Sequence, residues 1–564
     1  MNRAPPPEIR DPVTIEVIQQ SLGAITDEMF AVTRKTAMSS VIYEVLDFGV
    51  AVTDKDGALA SAGAGIPSFI GMLDPGVRAI IKIFQSPEIR EGDIFISNDP
   101  YTGGVSHTND VAVSMPVFYG GEIAAWTANK GHWMDIGGMR PGSTSPDATE
   151  LFQEGLLLPE VKIVDAGNLN DALLKTMMAN SRLPGQLRGD FWAAIASLRM
   201  GTKRIQHICQ KYGRDTFLFA VQDYLNTAER RVRRSLAQLP KGEFEATDRL
   251  DDGRGLHVKI TVTDTEFVVD LSKNPEQDKG PLNSTYDATM VSVQAMFKSL
   301  TDPDGPANAG AFRPLKLVTE PGTLFHSVKP AATGLYYENK LRVSDLILKA
   351  VAPYFEQGRA AGHFCSVCAT LVGQNNDDGS ISSFIEPEVG GWGARADSDG
   401  ENAQFSTSHG DTYTCPVEIN EVRNGIRVDR LALNDEPGGA GQFRGGKGIE
   451  LRYRILENRG WVTAAYTRSR VKPWGLNGGS SGTVNRLSVI RSNGSVETYQ
   501  SASSVSLAKD DVIQIRTGNG AGYGDPAKRD PESILRDIRD GYISKREAHE
   551  VYHLDTALIR GGQT

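Results

Sequence analysis

Two histidines and several aspartates fall in two short segments, NDPYTGGVSHTND (98–110) and NKGHWMDIGG (129–138). Deprotonated His, Asp and Glu side chains are the ligands of a catalytic divalent-metal site, which also keeps a position open for water or substrate. Between the segments, DVAVSMPVF and EIAAWTANKGH flank Tyr119-Gly120-Gly121, and Gly-Gly is a strong hairpin-turn signal. A two-residue loop puts residue 109 opposite 132, and one bulged residue puts Asp110 opposite His132 instead. In either register Asp110 and His132 are neighbours across the ladder, where side chains stand roughly 5 Å apart. His107, three positions before Asp110, reaches the same ion. A fourth donor must come from elsewhere. Asp47 is the candidate, because it begins an apolar strand (Asp47-Phe48-Gly49-Val50) where a lone carboxylate is costly. Asp99 and Asp135 are alternatives, as partners that orient the histidines or as a general base. Lys130 and Arg140 flank the site in sequence and can steady phosphate or carboxylate charge. A single histidine is more often a satisfied core residue than a ligand. Two of them with several aspartates at one hairpin mouth, beside glycine-rich turns, favour the site. Such a donor set suits Zn, Mn or Fe better than Ca.

The elements that must position these residues follow from periodicity. Residues 12–39 have apolar positions at helical spacing behind Pro12. Residues 45–62 read as a hairpin turning at DKDG, 76–86 as a second amphipathic helix, 93–98 as a short buried strand and 110–132 as the central hairpin. Residues 169–234 are helical, strands dominate from about 240, and a helix follows at 286–300. Residues 415–516 read as strands and 531–552 as two short helices. The class is α+β, multidomain, with largely antiparallel sheet and many glycine-rich turns. The expected division is a metal-site α+β domain (1–165), a helical region (166–240), a mixed α+β domain (241–414), a strand-rich domain (415–527) and a C-terminal helical tail (528–564).

Bulk properties narrow the function. The 564 residues carry a net charge of −10, which argues against a nucleic-acid binder. Four cysteines are too few for a disulfide scaffold and fit a reducing compartment. The N-terminus, with Pro5–Pro7, has no apolar signal region, and no long uncharged apolar stretch spans a membrane, so a cytoplasmic protein is expected. No phosphate-binding GxxxxGK[ST] motif is present, and GGAGQFRGG lacks the strand–loop–helix context of one.

Other motifs have plainer readings. Cys365-Ser-Val-Cys368, next to His363, reads as a strand with small buried residues rather than a redox or metal pair. His409-Gly-Asp411 reads as a surface loop, with substrate contact as the alternative because GGWGAR (390–395) is close in sequence. There Trp392 and Arg395 offer a stacking face and an anion fork. RRVRR (230–234) reads as a solvated helix face.

Taken together, NDPYTGG, H-T-N-D, GHWMDIGGM-R-PGS, PDATELFQEGLLLP (146–159), GGWGAR, PGGAGQFRGGKG (437–448) and GYGDPAKRDP (522–531) resemble the hydantoinase B/5-oxoprolinase family over nearly the whole chain. That family includes N-methylhydantoinase and caprolactamase B-type subunits and is related to the alpha-type subunits of acetone and acetophenone carboxylases. The resemblance matches His107, Asp110 and His132 to the family's metal ligands and Asp47 to its early acidic residue. It implies a metal-dependent subunit of an ATP-dependent cyclic-amide hydrolase, acting on hydantoin, lactam or oxoproline substrates. ATP would be bound by a hydantoinase A-type partner in a hetero-oligomer such as (αβ)2. The alternatives are a subunit of an ATP-dependent ketone carboxylase and a non-catalytic assembly subunit. Many hydantoinase-type members carry a second His after the ligand where this chain has Trp133, which implies a changed pocket wall and a different, aromatic substrate.

Overall fold

The computed structural model describes residues 11–555 apart from Ser86, Gln357 and Asp411, so Pro5–Pro7 and the Asp411 of the loop motif lie outside the described residues. Within them, eleven α-helices and four open sheets make an α+β fold. The first segment holds α1 (Pro12–Thr36), α2 (Ser40–Tyr43), β1 (Phe48–Asp54), β2 (Leu59–Ala62), α3 (Pro67–Ile83), β3 (Ile94–Ser97), β4 (Asp110–Tyr119), β5 (Glu122–His132), β6 (Val161–Asp165) and β7 (Asn168–Leu169). Its strands form one antiparallel sheet in the order β2-β1-β5-β4-β3-β6-β7. Three further helices follow: α4 (Asp171–Asn180), α5 (Pro184–Tyr212) and α6 (Arg214–Gln238).

Helices cover both faces of this sheet, which is why its central strands are apolar runs rather than alternating ones. Phe48, Val50 and Val52 pack under α1 and α5, while Ala51, Ala128 and Trp126 pack under α3. In the hairpin, Val117 pairs with Ala125 and Phe118 with Ile123, so Ala124 is an inserted residue. That bulge puts Asp110 opposite His132.

The second region comprises β8 (Gly242–Arg249), β9 (Gly255–Val262), β10 (Phe267–Asp270), α7 (Tyr286–Thr301), β11 (Leu315–Val318) and α8 (Tyr336–Val351). Among the named strands of the described residues, β10 and β11 form the one parallel pair. Residues between Ala228 and Phe355 share its core. The third region contains β12 (Thr370–Asn375), β13 (Ile381–Glu386), α9 (Val417–Asn424), β14 (Ile426–Leu433), β15 (Ile449–Ile455), β16 (Gly460–Ala465), β17 (Arg486–Ile490), β18 (Val496–Tyr499), β19 (Ser501–Leu507) and β20 (Val512–Arg516). Sheet β13-β12-β16-β19 and sheet β14-β15-β20-β17-β18 enclose one core that includes Val372, Val462, Tyr453 and Ile513. The glycine motifs let backbone pass against backbone: a Cβ on Gly520 would meet the Trp392 carbonyl oxygen at 1.9 Å. Helices α10 (Pro531–Arg539) and α11 (Lys545–Glu550) dock on Ala440.

Several expectations shift. The first helix stops at Thr36, and residues 40–43 form a separate turn. Helix α3 starts nine residues earlier than the expected 76 and contains Pro75. CPVEINEV is helical rather than strand, ending at Gly425 in the left-handed region. The CxxC is not in a strand: Cys365 and Cys368 have φ of +44° and +48°, and the strand begins at Thr370. Helix α8 has no counterpart in the sequence reading. Among the described residues, no helix is long and apolar enough to cross a membrane.

The NDPYTGG turn is seated on α3 through two glycines. A Cβ on Gly104 (φ +85°) would meet Gly76 Cα at 2.7 Å, and one on Gly76 would meet Gly104 Cα at 2.9 Å. Neither backbone can move without displacing the segment that leads to His107. Gly104→Ala is therefore expected to lower unfolding free energy by about 2 kcal/mol or more in denaturant titrations. An unchanged midpoint would show that the turn is not held by this contact.

Candidate active site

The open end of the central hairpin carries the chemistry. Asp110 begins β4 and His132 ends β5, facing each other across the ladder. The side chains of Lys130 and His132, two positions apart, share a face of β5. Lys130 Nζ lies 3.0 Å from Asp110 Oδ2 and donates to Ser106 Oγ at 3.2 Å. His107 Nε2 lies 3.2 Å from Asp110 Oδ1, and its ring centroid is 5.2 Å from that of His132. Asp47 is joined to the same end through its carbonyl, which accepts the His132 N–H at 3.0 Å. It follows Leu46, a bulky residue held at φ +65°. Such a conformation costs on the order of 1–3 kcal/mol and persists only where the surroundings enforce it.

Asp47, His107 and His132 line a cavity of about 40 Å³, space on the scale of an ion with a water. Sequence reasoning missed much of the rest of its wall. Tyr336 and Tyr337 come from α8, Phe69 from α3, and Ile385 and Pro387 from the end of β13. The signal for α8 was the run YYENKLRVSDLILKAV, free of Gly and Pro. Four of its five charged residues, Glu338, Lys340, Arg342 and Asp345, are buried, which hid the amphipathic pattern. His409 also lines the cavity. Within the expected surface loop the His409 side chain is buried while Gly410 is exposed, and the Ser408 carbonyl accepts from Lys340 Nζ at 3.3 Å.

Trp133 does not form the cavity wall. One step beyond His132, it packs with Val111, Ile136, Leu158 and Leu187 in the core. Asp99, Asp135 and Arg140 are not brought to the cavity either. Asp99 is tied to Lys329 Nζ at 2.8 Å and to the Tyr101 N–H. Asp135 accepts from the N–H groups of Gly137, Gly142 and Arg182 and from the Arg182 guanidinium, so it organises the 135–142 loop. Arg140 pairs with Asp147 near the surface.

Burial and neighbouring charge set the protonation states. Burial pushes the Asp110 carboxyl up, but Lys130 and His107 outweigh it and hold the group well below the usual carboxylate range. Burial, with the adjacent Asp110, pushes Asp47 up to about 7. Burial lowers Lys340 to about 7 despite Asp47, and burial with His107 lowers His132 to about 3, leaving a neutral imidazole.

The donors fit a divalent ion on one direct observation: His132 Nδ1 is buried with no hydrogen-bond partner among the described residues, beside the ion-paired Asp110 carboxylate. His107, Asp110 and His132, with Asp47, would hold it. The quartet is wide. The set of such atoms lying within 4.8 Å of one another among the described residues is Asp345, His363 and Cys365. That set is a poor cation site. Asp345 is ion-paired with buried Arg468, and Trp474 Nε1 lies 3.2 Å from each of its oxygens. Burial pushes Cys365 up to about 12 and Cys368 well above its ordinary value, so both thiols are inert. Trp392 Nε1 donates to the Phe405 carbonyl at 2.7 Å, and Arg395 is exposed beside Asp397.

The chain belongs to the hydantoinase B/oxoprolinase family, whose profile matches residues 11–526. A Pseudomonas protein named as a B-type component of a D-/L-hydantoinase is 31% identical over 95% of this chain and 94% of its own. The crystal structure of the ATP-dependent caprolactamase from Pseudomonas jessenii superposes with a TM-score of 0.90 at 25% identity, covering 98% of both chains. A nucleotide-free acetone carboxylase structure shares the fold, with a TM-score of 0.90 at 17% identity, covering 98% of this chain and 82% of that one.

The PDATELFQEGLLLP motif supports the site from behind. Glu154 accepts the N–H groups of Thr333 (3.1 Å) and Gly334 (2.6 Å), immediately before α8. Burial pushes its carboxyl up to about 7 from an ordinary 4.5. Between those values the folded chain holds a proton that the unfolded chain has released, so stability falls as pH rises through the window. Relative to Glu154→Gln, the wild type should lose up to about 3 kcal/mol between pH 4.5 and 7.5. Parallel pH profiles of unfolding free energy for the two proteins would contradict this.

Proposed function

We propose that this chain is the metal-dependent subunit of an ATP-dependent cyclic-amide hydrolase, acting on substrate phosphorylated by a hydantoinase A-type partner. The observation that carries it is the buried cluster of Asp110, His107 and His132 at the hairpin mouth, with His132 Nδ1 unpartnered among the described residues, in a chain whose relatives include hydantoinase and caprolactamase proteins. A cyclic amide has a poor electrophilic carbon and a poor leaving nitrogen, and phosphorylation of its oxygen relieves both. His107, Asp110, His132 and Asp47 would hold a Zn, Mn or Fe ion, which when bound would supply Lewis-acid polarisation of the activated carbon's oxygen and a water acidic enough to ionise near neutral pH.

The chain's own residues prepare that chemistry. Lys130 keeps Asp110 anionic, and burial keeps His132 neutral, the forms that donate electron pairs. Tyr336 and Tyr337 close the cavity against bulk water. Lys340, whose Nζ donates to Ser68 Oγ at 2.6 Å and to the Ser408 carbonyl at 3.3 Å, does not line the cavity but places its charge where it offsets the burial of Asp47. The naming of the hydantoinase relative as one component of a larger enzyme, and the lack of a phosphate-binding loop motif in this sequence, support a second, ATP-binding chain in a hetero-oligomer.

The test is reconstitution with the ATP-binding partner, following ADP release and ring opening on hydantoin, caprolactam and 5-oxoproline. Activity should need ATP and metal, and His132→Ala should lower it by about a thousandfold or more while circular dichroism stays unchanged. Incorporation of labelled bicarbonate into acetone or acetophenone, with no ring opening, would replace this reading with the ketone carboxylase. Neither reaction, with intact assembly, would leave a non-catalytic assembly role.

A further inference from the structure

A second cavity lies behind the active site, on the far side of one strand end. The chain leaving β13 alternates: Ile385 and Pro387 line the active-site cavity, while Glu386 and Glu388 line a separate open cleft of about 620 Å³. That volume is in the usual range for small-molecule sites. Val428, Leu431, Ile449 and Leu451 supply apolar walls, and Tyr413 and Leu431 are exposed at 59% and 55%.

The base of the cleft is acidic and incomplete. Glu386 is 2% exposed and satisfied, accepting from Tyr453 Oη (2.8 Å), Asn420 Nδ2 (3.1 Å) and the Cys415 N–H. Glu388 is 1% exposed, and its Oε1 has no hydrogen-bond partner among the described residues. Neither carboxyl has a Lys, Arg or His among the described groups that offset its burial, although such a pair would lower that cost. Burial pushes Glu386 up to about 7, and burial with the adjacent Glu386 pushes Glu388 well above its ordinary value. A native fold seldom leaves a buried acceptor orphaned beside a second acid unless something else fills the position.

We propose that this cleft is a second binding site, for a small primary ammonium carried on a short apolar body, with Glu388 accepting its N–H groups. The ammonium supplies the three donors and the positive charge that the two carboxyls lack, and the apolar body fills the Val428–Leu451 wall. Glu386, already held by three donors, contributes charge without moving. The site is independent of the metal donors, from which the 385–387 segment separates it.

The test is calorimetric titration of the purified full chain with n-hexylammonium and with 1-hexanol, at pH 7.5. The expected result is saturable one-to-one binding of the ammonium, with hexanol weaker by about tenfold or more. His132→Ala should bind as the wild type does, which distinguishes this cleft from the active site. Glu388→Gln should lose about tenfold or more. Leu431→Arg, at an exposed position on the cleft wall, should lose binding without touching the buried carboxyls and serves if Glu388→Gln fails to fold. Absence of saturable ammonium binding, equal affinity for hexanol, or full binding in Leu431→Arg would overturn the proposal.

Discussion

A fully buried carboxylate, Asp110, is the constraint around which the structure is arranged. An isolated charge in that position would be driven to its neutral form by burial. Lys130 prevents this from the facing strand, and His107 adds to it from the preceding turn. Lys130 is itself buried, and its ammonium lies 4.3 Å from the Phe69 ring centroid. Gly49, its neighbour on β1, has no side chain, and a Cβ there would meet Phe69 Cβ at 3.0 Å. Removing one partner of such a pair typically costs about 3–5 kcal/mol, because the other charge remains buried and alone. The sheet register, the Ala124 bulge and the close approach of α3 are all conditions for this pair to exist.

Three separate cores converge on the cavity beside it. The first sheet supplies the donors, α8 brings Tyr336 and Tyr337, and Ile385, Pro387 and His409 close the remaining side. The Tyr413 N–H bonds the Val45 carbonyl at 3.1 Å, two residues before Asp47. Glu154 fixes the approach to α8 from the first region. No region alone forms an enclosed site, so its wall is drawn from residues spread between Val41 and His409.

Much of the first sheet was legible because its signals are local. Gly120-Gly121 marks the turn, the apolar runs mark buried strands, and the two permitted registers both bring Asp110 to His132. Helix α8 was not legible, because burial of Glu338, Lys340, Arg342 and Asp345 depends on partners far along the chain, such as Arg468 with Asp345. His409 was misread for a related reason: a polar, Gly-containing loop looks solvated until the Lys340 contact is known. Asp99 and Asp135 illustrate the converse. Their nearness in sequence to the histidines suggested catalysis, but side-chain-to-backbone hydrogen bonds within turns consume them. The left-handed backbone at Cys365 and Cys368, which takes the CxxC out of the strand, has no signature in residue type.

The central claim is that Asp110, kept anionic by Lys130, anchors a divalent ion with His107 and His132. Elemental analysis of the purified chain beside Asp110→Asn measures this directly, with folding checked by circular dichroism. The account predicts near one equivalent of Zn, Mn or Fe in the wild type and almost none in the variant. A wild type that stays metal-free after supplementation, or a folded variant that keeps its metal, would contradict it.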